Sequence, residues 1–196
     1  MSSTQQRRTG MVGRVEVQPL DEESLEELLA VAVNDAAPEE VMPPLAGPPG
    51  WTTQRQEAFR AWHRARREGL VGPLRESTFA ITHNGEIVGS ARLAACDRPD
   101  VLETGMWLAR SQRGRGIGTA TLRVLLDEAA KTDARTVVAD TTAHNTAALT
   151  ALRRNGATLS TSQDTVEVHA ELTPRKTPSP QPIASSEHRG PRGPAL

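Results

Sequence analysis

The strongest chemical signal in the sequence is a run of glycines and arginines from Gln112 to Thr119, QRGRGIGT, between a predicted strand and a predicted helix. At such a junction glycines let the backbone approach an anion closely. The start of the helix adds unpaired N–H groups and a favourable dipole. Arg113 and Arg115 can supply charge-assisted hydrogen bonds. The segment therefore predicts a binding site for a phosphate or pyrophosphate group.

The spacing of this loop excludes two common phosphate sites. A P-loop requires Gly, four residues and then Gly-Lys-Ser/Thr, and a dinucleotide fingerprint requires Gly or Ala where Thr119 stands. The pattern Arg113-x-x-Gly116-x-Gly118 instead resembles the arginine-led motif of the Gcn5-related N-acetyltransferases, the GNAT family. In that family the loop holds the pyrophosphate of acetyl-coenzyme A (acetyl-CoA).

Two flanking segments resemble the same family. Residues 103–109 (ETGMWLA) are similar to its fourth strand, and residues 140–148 (DTTAHNTAA) to its fifth strand and the helix that follows. Gly156 and a closing strand complete the pattern. The resemblance spans residues 14–172 and implies an α/β (α+β) GNAT fold. This fold has a mixed, mostly antiparallel central sheet flanked by helices, with splayed fourth and fifth strands.

The resemblance also implies how acetyl-CoA is bound. In the family the pantetheine arm enters the gap as a substitute strand, so the backbone near Trp107 would hydrogen-bond its amides and the Leu108 N–H would polarise the thioester carbonyl. Asn145 resembles a residue that contacts the arm, and it is equally a sound helix cap. The implied cofactor site comprises Trp107, Leu108, Ala109, Arg110, Arg113, Gly114, Arg115, Gly116, Ile117, Gly118, Thr119, Asn145 and Ala148.

The family's reaction, direct acetyl transfer to an amine, requires a base. An alkyl amine has a pKa of about 10 and is mostly protonated at neutral pH. Glu103 stands where many members place a glutamate on the fourth strand, and Asp140, across the splay, is the second candidate. The alternative interpretation of Glu103 is the solvated end of a strand.

The sequence departs from the family at the general acid. Many members reprotonate the thiolate with a tyrosine in the helix after the fifth strand, but alignment on Asn145 and Gly156 places Leu152 there, and the chain has no tyrosine. A water, Thr142 or His144 would have to protonate the thiolate. Cys96 is a weaker candidate for an acetylated nucleophile because it lies in an apolar run without an adjacent base.

The resemblance implies that residues 34–72, the first helices and their connecting loop, select the substrate. Carboxylates beside aromatic rings suit a polycationic amino sugar, whereas the alternative is that the rings are core and the acids merely solvated. Residues 40–52 and 103–107 resemble antibiotic acetyltransferases of the kasugamycin 2'-N-acetyltransferase type, which implies an aminoglycoside acceptor and antibiotic resistance. A protein or peptide N-acetyltransferase and a non-catalytic acetyl-CoA sensor stay open. The expected acceptor ligands are Asp35, Glu39, Glu40, Trp51, Trp62, Glu103 and Asp140.

Composition and charge limit the classes of protein to which the chain can belong. The 196 residues are enough for one domain with a core. The net charge is −1, and because residues 173–196 hold four basic residues against one glutamate, about −4 falls on residues 1–172. This argues against nucleic acid as a partner. We find no apolar run long enough for a membrane, no secretory signal and no metal-finger spacing, so we expect a cytoplasmic protein.

The predicted elements alternate between strands and helices. We expect no regular structure among the prolines of residues 38–49, and disorder in residues 1–13 and 173–196. A homodimer could form through the exposed edge of the closing strand. The predicted elements are a strand over 15–19, a helix capped by Asp21, a helix from Thr52 or Thr53 to Gly69, a hairpin at Asn84-Gly85, a strand over 101–109, a helix over 117–131, a strand over 136–142, a helix from Asn145 to Asn155 and a closing strand over 164–172.

Overall fold

The computed structural model describes residues 13–161 and 166–175. These residues form one β-sheet with helices on both faces. The strands are β1 (Val15–Pro19), β2 (Glu76–His83), β3 (Glu86–Ala95), β4 (Val101–Leu108), β5 (Thr136–Thr142), β6 (Thr158–Thr161) and β7 (Glu167–Leu172). The α-helices are α1 (Glu22–Asp35), α2 (Pro38–Val41), α3 (Thr53–Arg64), α4 (Ile117–Ala129) and α5 (Thr146–Arg154).

The sheet has the strand order β1-β2-β3-β4-β5-β7-β6. Every neighbouring pair is antiparallel except β4 and β5, which are parallel and connected through α4. The expected mixed, mostly antiparallel fold is therefore confirmed. The β4–β5 ladder contains only the three pairs Val101–Thr136, Leu102–Val137 and Glu103–Val138, after which the strands diverge, as expected.

Local signals in the sequence explain several element boundaries. Asp21 and Ser24 form a reciprocal capping box at the start of α1, and the Thr52 side chain caps α3 through the Arg55 N–H. Asn84 and Gly85 adopt φ of 55° and 88° at the β2–β3 turn, as a two-residue hairpin requires. These caps and this turn confirm the predicted starts of α1, α3 and β3.

Two apolar clusters cover opposite faces of the sheet. The larger one lies between the sheet and α4, and it includes Leu93, Leu102, Leu125 and Val137. The smaller one is centred on α1 and Phe59 of α3, with Trp107 of β4 packed against it. The acceptor-side helices α1 and α3 and the crossover helix α4 are thus held on different faces of the same strands.

The structure corrects three expectations. Residues 38–41 form a single helical turn because Pro38 stands at its first position, where proline needs no N–H partner. Helix α3 ends at Arg64, earlier than Gly69, where the chain tightens to N–H bonds three residues back. The closing strand β7 lies between β5 and β6, so the predicted edge contact over residues 164–172 is wrong; the unpredicted β6 is the edge.

The disorder expected for residues 1–13 and 173–196 falls almost wholly outside the described residues. Within the described ranges, no helix combines the length and the apolar character that crossing a membrane demands.

Candidate active site

The divergence of β4 and β5 opens a gap lined by backbone groups of β4. The Ala109 N–H donates to the Val88 carbonyl of β3 at 2.9 Å. Because successive N–H groups of a strand point to opposite sides, the Leu108 N–H points away from β3 and into the gap. The Leu108 carbonyl also points away from β3, because it accepts a hydrogen bond from Arg113 Nε at 2.9 Å. In the described residues β4 has no strand partner on this side beyond Glu103, so its edge is open to an extended guest.

The glycine loop, residues 113–118, connects this strand to α4. Gly114 and Gly116 have φ of 73° and 82°, a left-handed conformation that other residues adopt only with strain. A Cβ at Gly114 would meet nothing within 4 Å, so the loop is open where a ligand would lie against it. Helix α4 begins at Ile117 with no side-chain cap and no acidic residue in its first turn. These features fit a pyrophosphate at the helix N-terminus.

The arginines around the glycine loop already contact protein groups. Arg113 Nη1 lies 3.1 Å from Glu40 Oε1, and Arg110 Nη2 lies 2.7 Å from Glu40 Oε2. Arg115 donates to the Gln112 side chain at 2.8 Å. Their expected role as phosphate ligands stays a prediction, and the structure adds that Glu40 fixes two of them.

A cavity of about 460 Å³ lies on the face of the sheet that carries α1 and α3. It brings together Glu39, Glu40 and Trp62 from the expected acceptor ligands. Its walls come from α2 and the segment after it, from α3, and from β2, β3 and β4. The lining residues are Glu39, Glu40, Val41, Met42, Pro43, Trp62, Arg66, Glu76, Ser90, Ala91, Arg92, Gly105, Met106 and Trp107.

A row of alternating charges begins in the cavity wall with Arg66, Glu76 and Arg92 and continues to Glu103, which is not among the lining residues. Arg66 Nε lies 3.0 Å from Glu76 Oε2, and Arg92 lies 4.0 Å from the other oxygen of Glu76. Arg92 Nη2 donates to Glu103 Oε1. Glu76 is 8% exposed, and within the described part of the chain its Oε1 has no hydrogen-bond partner. Sequence analysis missed Arg66, Glu76 and Arg92.

Four expected acceptor ligands are not among the lining residues: Asp35, Trp51, Glu103 and Asp140. The first two contact protein groups. Asp35 Oδ2 accepts the Ser111 N–H at 2.9 Å, and hydrogen bonds from Ser111 hold the pKa of Asp35 below its ordinary value. Trp51 packs edge-on against Phe59 and donates its indole N–H to the Ala36 carbonyl at 3.0 Å. Both residues therefore stabilise the surroundings of the cavity.

The two candidate bases lie on either side of the gap. Glu103 forms the last β4–β5 pair with Val138, and Asp140 follows two residues later on the same face of β5. Asp140 Oδ1 lies 2.7 Å from Nδ1 of His169 on β7. Sequence analysis missed His169, because only the β5–β7 register places it opposite Asp140.

The structure shows the surroundings of the residues considered as a general acid, a nucleophile or a cofactor contact. Leu152, at the family's tyrosine position, is buried in the larger apolar cluster. Burial, with Glu103 and Asp97 nearby, raises the pKa of the Cys96 thiol, which disfavours a nucleophilic thiolate. Asn145 caps α5 by accepting the Ala148 N–H at 3.1 Å, so its interpretation as a cap is confirmed.

Solved structures share this architecture. RimJ of Mycobacterium smegmatis, in complex with CoA-disulfide, is 19% identical, with 83% of each chain covered and a TM-score of 0.65. RimL, a ribosomal L7/L12 alpha-N-protein acetyltransferase in complex with coenzyme A, is 20% identical, with 81% of this chain and 93% of that chain covered and a TM-score of 0.61. PseH of Campylobacter jejuni, in complex with acetyl coenzyme A, is 12% identical, with 82% of this chain and 99% of that chain covered and a TM-score of 0.58.

Comparison with curated protein sequences gives no match. The family of acetyltransferase (GNAT) domains, in contrast, matches residues 14–158, which include the gap, the glycine loop and all the residues that line the cavity. Enzymes of this family use acetyl-CoA for N-acetylation, in agreement with the pyrophosphate cradle and the open β4 edge. The chain therefore belongs to the GNAT family of acetyl-CoA-dependent N-acetyltransferases.

Proposed function

We propose that the chain acetylates an amino group of a small polycationic amino sugar of the aminoglycoside class, such as kasugamycin, and so acts in antibiotic resistance. The observation that carries this proposal is the cavity of about 460 Å³ with three carboxylates and two tryptophans among its lining residues. This volume is in the range of small-molecule sites. Carboxylates bind ammonium groups, and indole faces attract cations and pack against sugar rings.

The charges of the cavity favour a cationic guest. Arg66 and Arg92 are each held by a carboxylate of the row, whereas Glu39 is 59% exposed and approaches only Arg55, at 4.0 Å. Buried polar atoms normally have a hydrogen-bond partner. In the described residues Glu76 Oε1 has none, and Arg66 Nε has none either, although it lies 3.0 Å from Glu76 Oε2. Three carboxylates against two arginines in the lining favour a cation at Glu76 Oε1. An ammonium group of the acceptor would supply the missing donor.

The wall formed by residues 41–43 favours a small acceptor over a peptide. Val41, Met42 and Pro43 follow Glu40 along the cavity, and Met42 and Pro43 also line the second, smaller pocket around Pro44. A protein N-terminal amine is the alternative acceptor, and it is the type named for RimL. An extended peptide would need a groove in place of this wall.

Residues of this chain have defined tasks in the proposed reaction. Bound acetyl-CoA would supply the activated acetyl group. The glycine loop with the α4 N-terminus would hold its pyrophosphate, and the backbone from Trp107 to Ala109 would hold its pantetheine arm. The Leu108 N–H, directed into the gap, would stabilise negative charge that develops on the acyl oxygen.

Glu103 is our proposed base. In the free chain Arg92 neutralises it, and an incoming ammonium group would replace Arg92 as its counter-ion, with Glu76 4.0 Å away from Arg92 as the alternative partner. The carboxylate of Glu103 then accepts the amine proton directly or through one water. Asp140, hydrogen-bonded to His169, is the second proposed base.

The test is thiol release from acetyl-CoA by the full chain with kasugamycin, other aminoglycosides, polyamines and short peptides. We expect turnover with at least one amino sugar, and mass spectrometry of the product then identifies the modified nitrogen. Turnover confined to peptides would replace the amino sugar by a protein N-terminus. Turnover confined to polyamines would remove the sugar-specific part of the proposal.

A further inference from the structure

Glu40 stands where the acceptor cavity meets the cofactor loop. It is the third residue of α2 and lines the cavity. Its Oε2 accepts the Ala37 N–H at 2.8 Å and Arg110 Nη2 at 2.7 Å, and its Oε1 accepts Arg113 Nη1 at 3.1 Å. The Ala37 N–H, followed by Arg113 and Arg110, holds the pKa of Glu40 below its ordinary value, so the carboxylate stays charged at neutral pH.

The two arginines belong to the segment that joins β4 to α4. Arg113 is also bound through its Nε to the Leu108 carbonyl at the gap, so one guanidinium connects the gap to α2. A second carboxylate repeats this link, since Asp35 at the end of α1 accepts the Ser111 N–H at 2.9 Å. The cofactor segment is therefore tied to the acceptor-side helices through side chains of two different helices.

We propose that Glu40 is a positioning residue that couples the two substrate sites. Its carboxylate fixes Arg110 and Arg113 beside the glycine loop and at the same time holds α2 as a wall of the acceptor cavity. An isolated exposed ion pair contributes little, but one carboxylate shared by three donors forms a network, and preorganised arginines lose less freedom when an anion binds. Only the acceptor half of this inference rests on the proposed function.

The test is calorimetric titration of the full chain with CoA, comparing wild type, Glu40→Gln and Glu39→Gln. Glu39 is the matched control, because it neighbours Glu40 on α2 and lines the same cavity but contacts neither arginine. We expect Glu40→Gln to raise the CoA Kd about 5- to 10-fold, because a loss of this size corresponds to one charge-assisted hydrogen bond. For Glu39→Gln we expect a change of less than about twofold.

A double-mutant cycle separates positioning from a general loss of structure. Glu40→Gln in an Arg110→Gln background should weaken CoA binding less than it does in the wild type, because one of the two arginine partners of Glu40 is already gone. Additive losses would overturn the proposal. So would an unchanged Kd for Glu40→Gln, and tighter binding would mean that Glu40 competes with the cofactor phosphates.

The coupling has a second readout in turnover. In whichever acceptor assay succeeds, Glu40→Gln should raise the KM of both substrates with little loss of kcat, since Glu40 touches neither reacting atom. A loss of kcat alone would contradict positioning. The CoA titration needs no acceptor, so failure of every aminoglycoside would remove the proposed acceptor and leave the test of Glu40 intact.

Discussion

The cofactor region consists of β4, the glycine loop and α4, which follow one another in the chain, whereas the acceptor cavity takes its walls from α2, α3 and three strands. The first region presents backbone groups: the Leu108 N–H, the glycine peptides and the start of α4. The second presents side chains, many of them charged. Backbone sites tolerate side-chain changes but not changes in conformation. A side-chain site depends on the identity of its residues instead, so acceptor specificity can change at cavity residues other than Glu40 without affecting the cofactor.

The two regions also differ in how they use buried polar groups. Beneath the cavity, His63 is 2% exposed, with its Nδ1 3.3 Å from Thr78 Oγ1 and its Nε2 without a partner in the described residues. Burial, followed by the charge of Arg66, lowers its pKa to about 3. The acceptor side therefore depends on a neutral histidine in a way that the cofactor region does not.

The largest expected effect comes from Glu103, where the two regions meet. Glu103→Gln should lower kcat by about 100-fold or more, the usual contribution of a general base, with the CoA Kd within about twofold of wild type. Steady-state turnover and calorimetry measure the two quantities, and Glu86→Gln on the exposed start of β3 is the control. Full activity of Glu103→Gln would transfer the role of base to Asp140, tested by Asp140→Asn.

The next effect should be confined to the acceptor side. Because the folded-state pKa of His63, about 3, lies below its ordinary value of 6.5, the unfolded chain binds an extra proton between these pH values, and stability falls as pH falls through this window. Between pH 7.5 and 5 this should cost about 2 kcal/mol. Urea unfolding at both pH values should show this loss in the wild type and a smaller loss in His63→Gln. Equal losses in both proteins would contradict it.

The smallest expected effect tests the cofactor region through backbone conformation. Gly116 and Gly156 have nearly the same φ, 82° and 83°, so alanine at either position should cost a similar stability, about 1 kcal/mol. Only Gly116→Ala should also raise the CoA Kd, about tenfold, because this loop must approach the phosphates closely. If Gly156→Ala weakens CoA binding equally, the loop has no special role.

The same contrast explains what the sequence could predict. The glycine loop and the splayed strands lie within residues 101–142, one continuous stretch, so their order is visible as a motif. The cavity is different, because Arg66 lies after the end of α3, Glu76 on β2 and Arg92 on β3, with no common spacing. Only the register, with Ala94 opposite both Glu76 and Glu103, places the charged residues of β2, β3 and β4 on one face.

Individual residues show where sequence patterns mislead. The aromatic and acidic character of residues 34–72 predicted acceptor ligands, yet the Trp51 indole and the Asp35 carboxylate hold neighbouring backbone in place. A carboxylate on a loop does not reveal whether a protein donor or a ligand will reach it. Strand β6 was missed because four mostly polar residues at a sheet edge give no alternation.

Because the β4–β5 ladder has three residue pairs, the sheet consists of two parts with a narrow connection between them. One part contains β1 to β4, and the other contains β5, β7 and β6. The apolar cluster around α4 includes residues of both parts, such as Leu93 and Ala170. With so short a ladder between β4 and β5, hydrogen bonds alone connect the two parts weakly, and their shared packing against α4 holds them together. A large-to-small substitution in the α4 cluster would therefore disturb the shape of the gap as well as the stability of the fold.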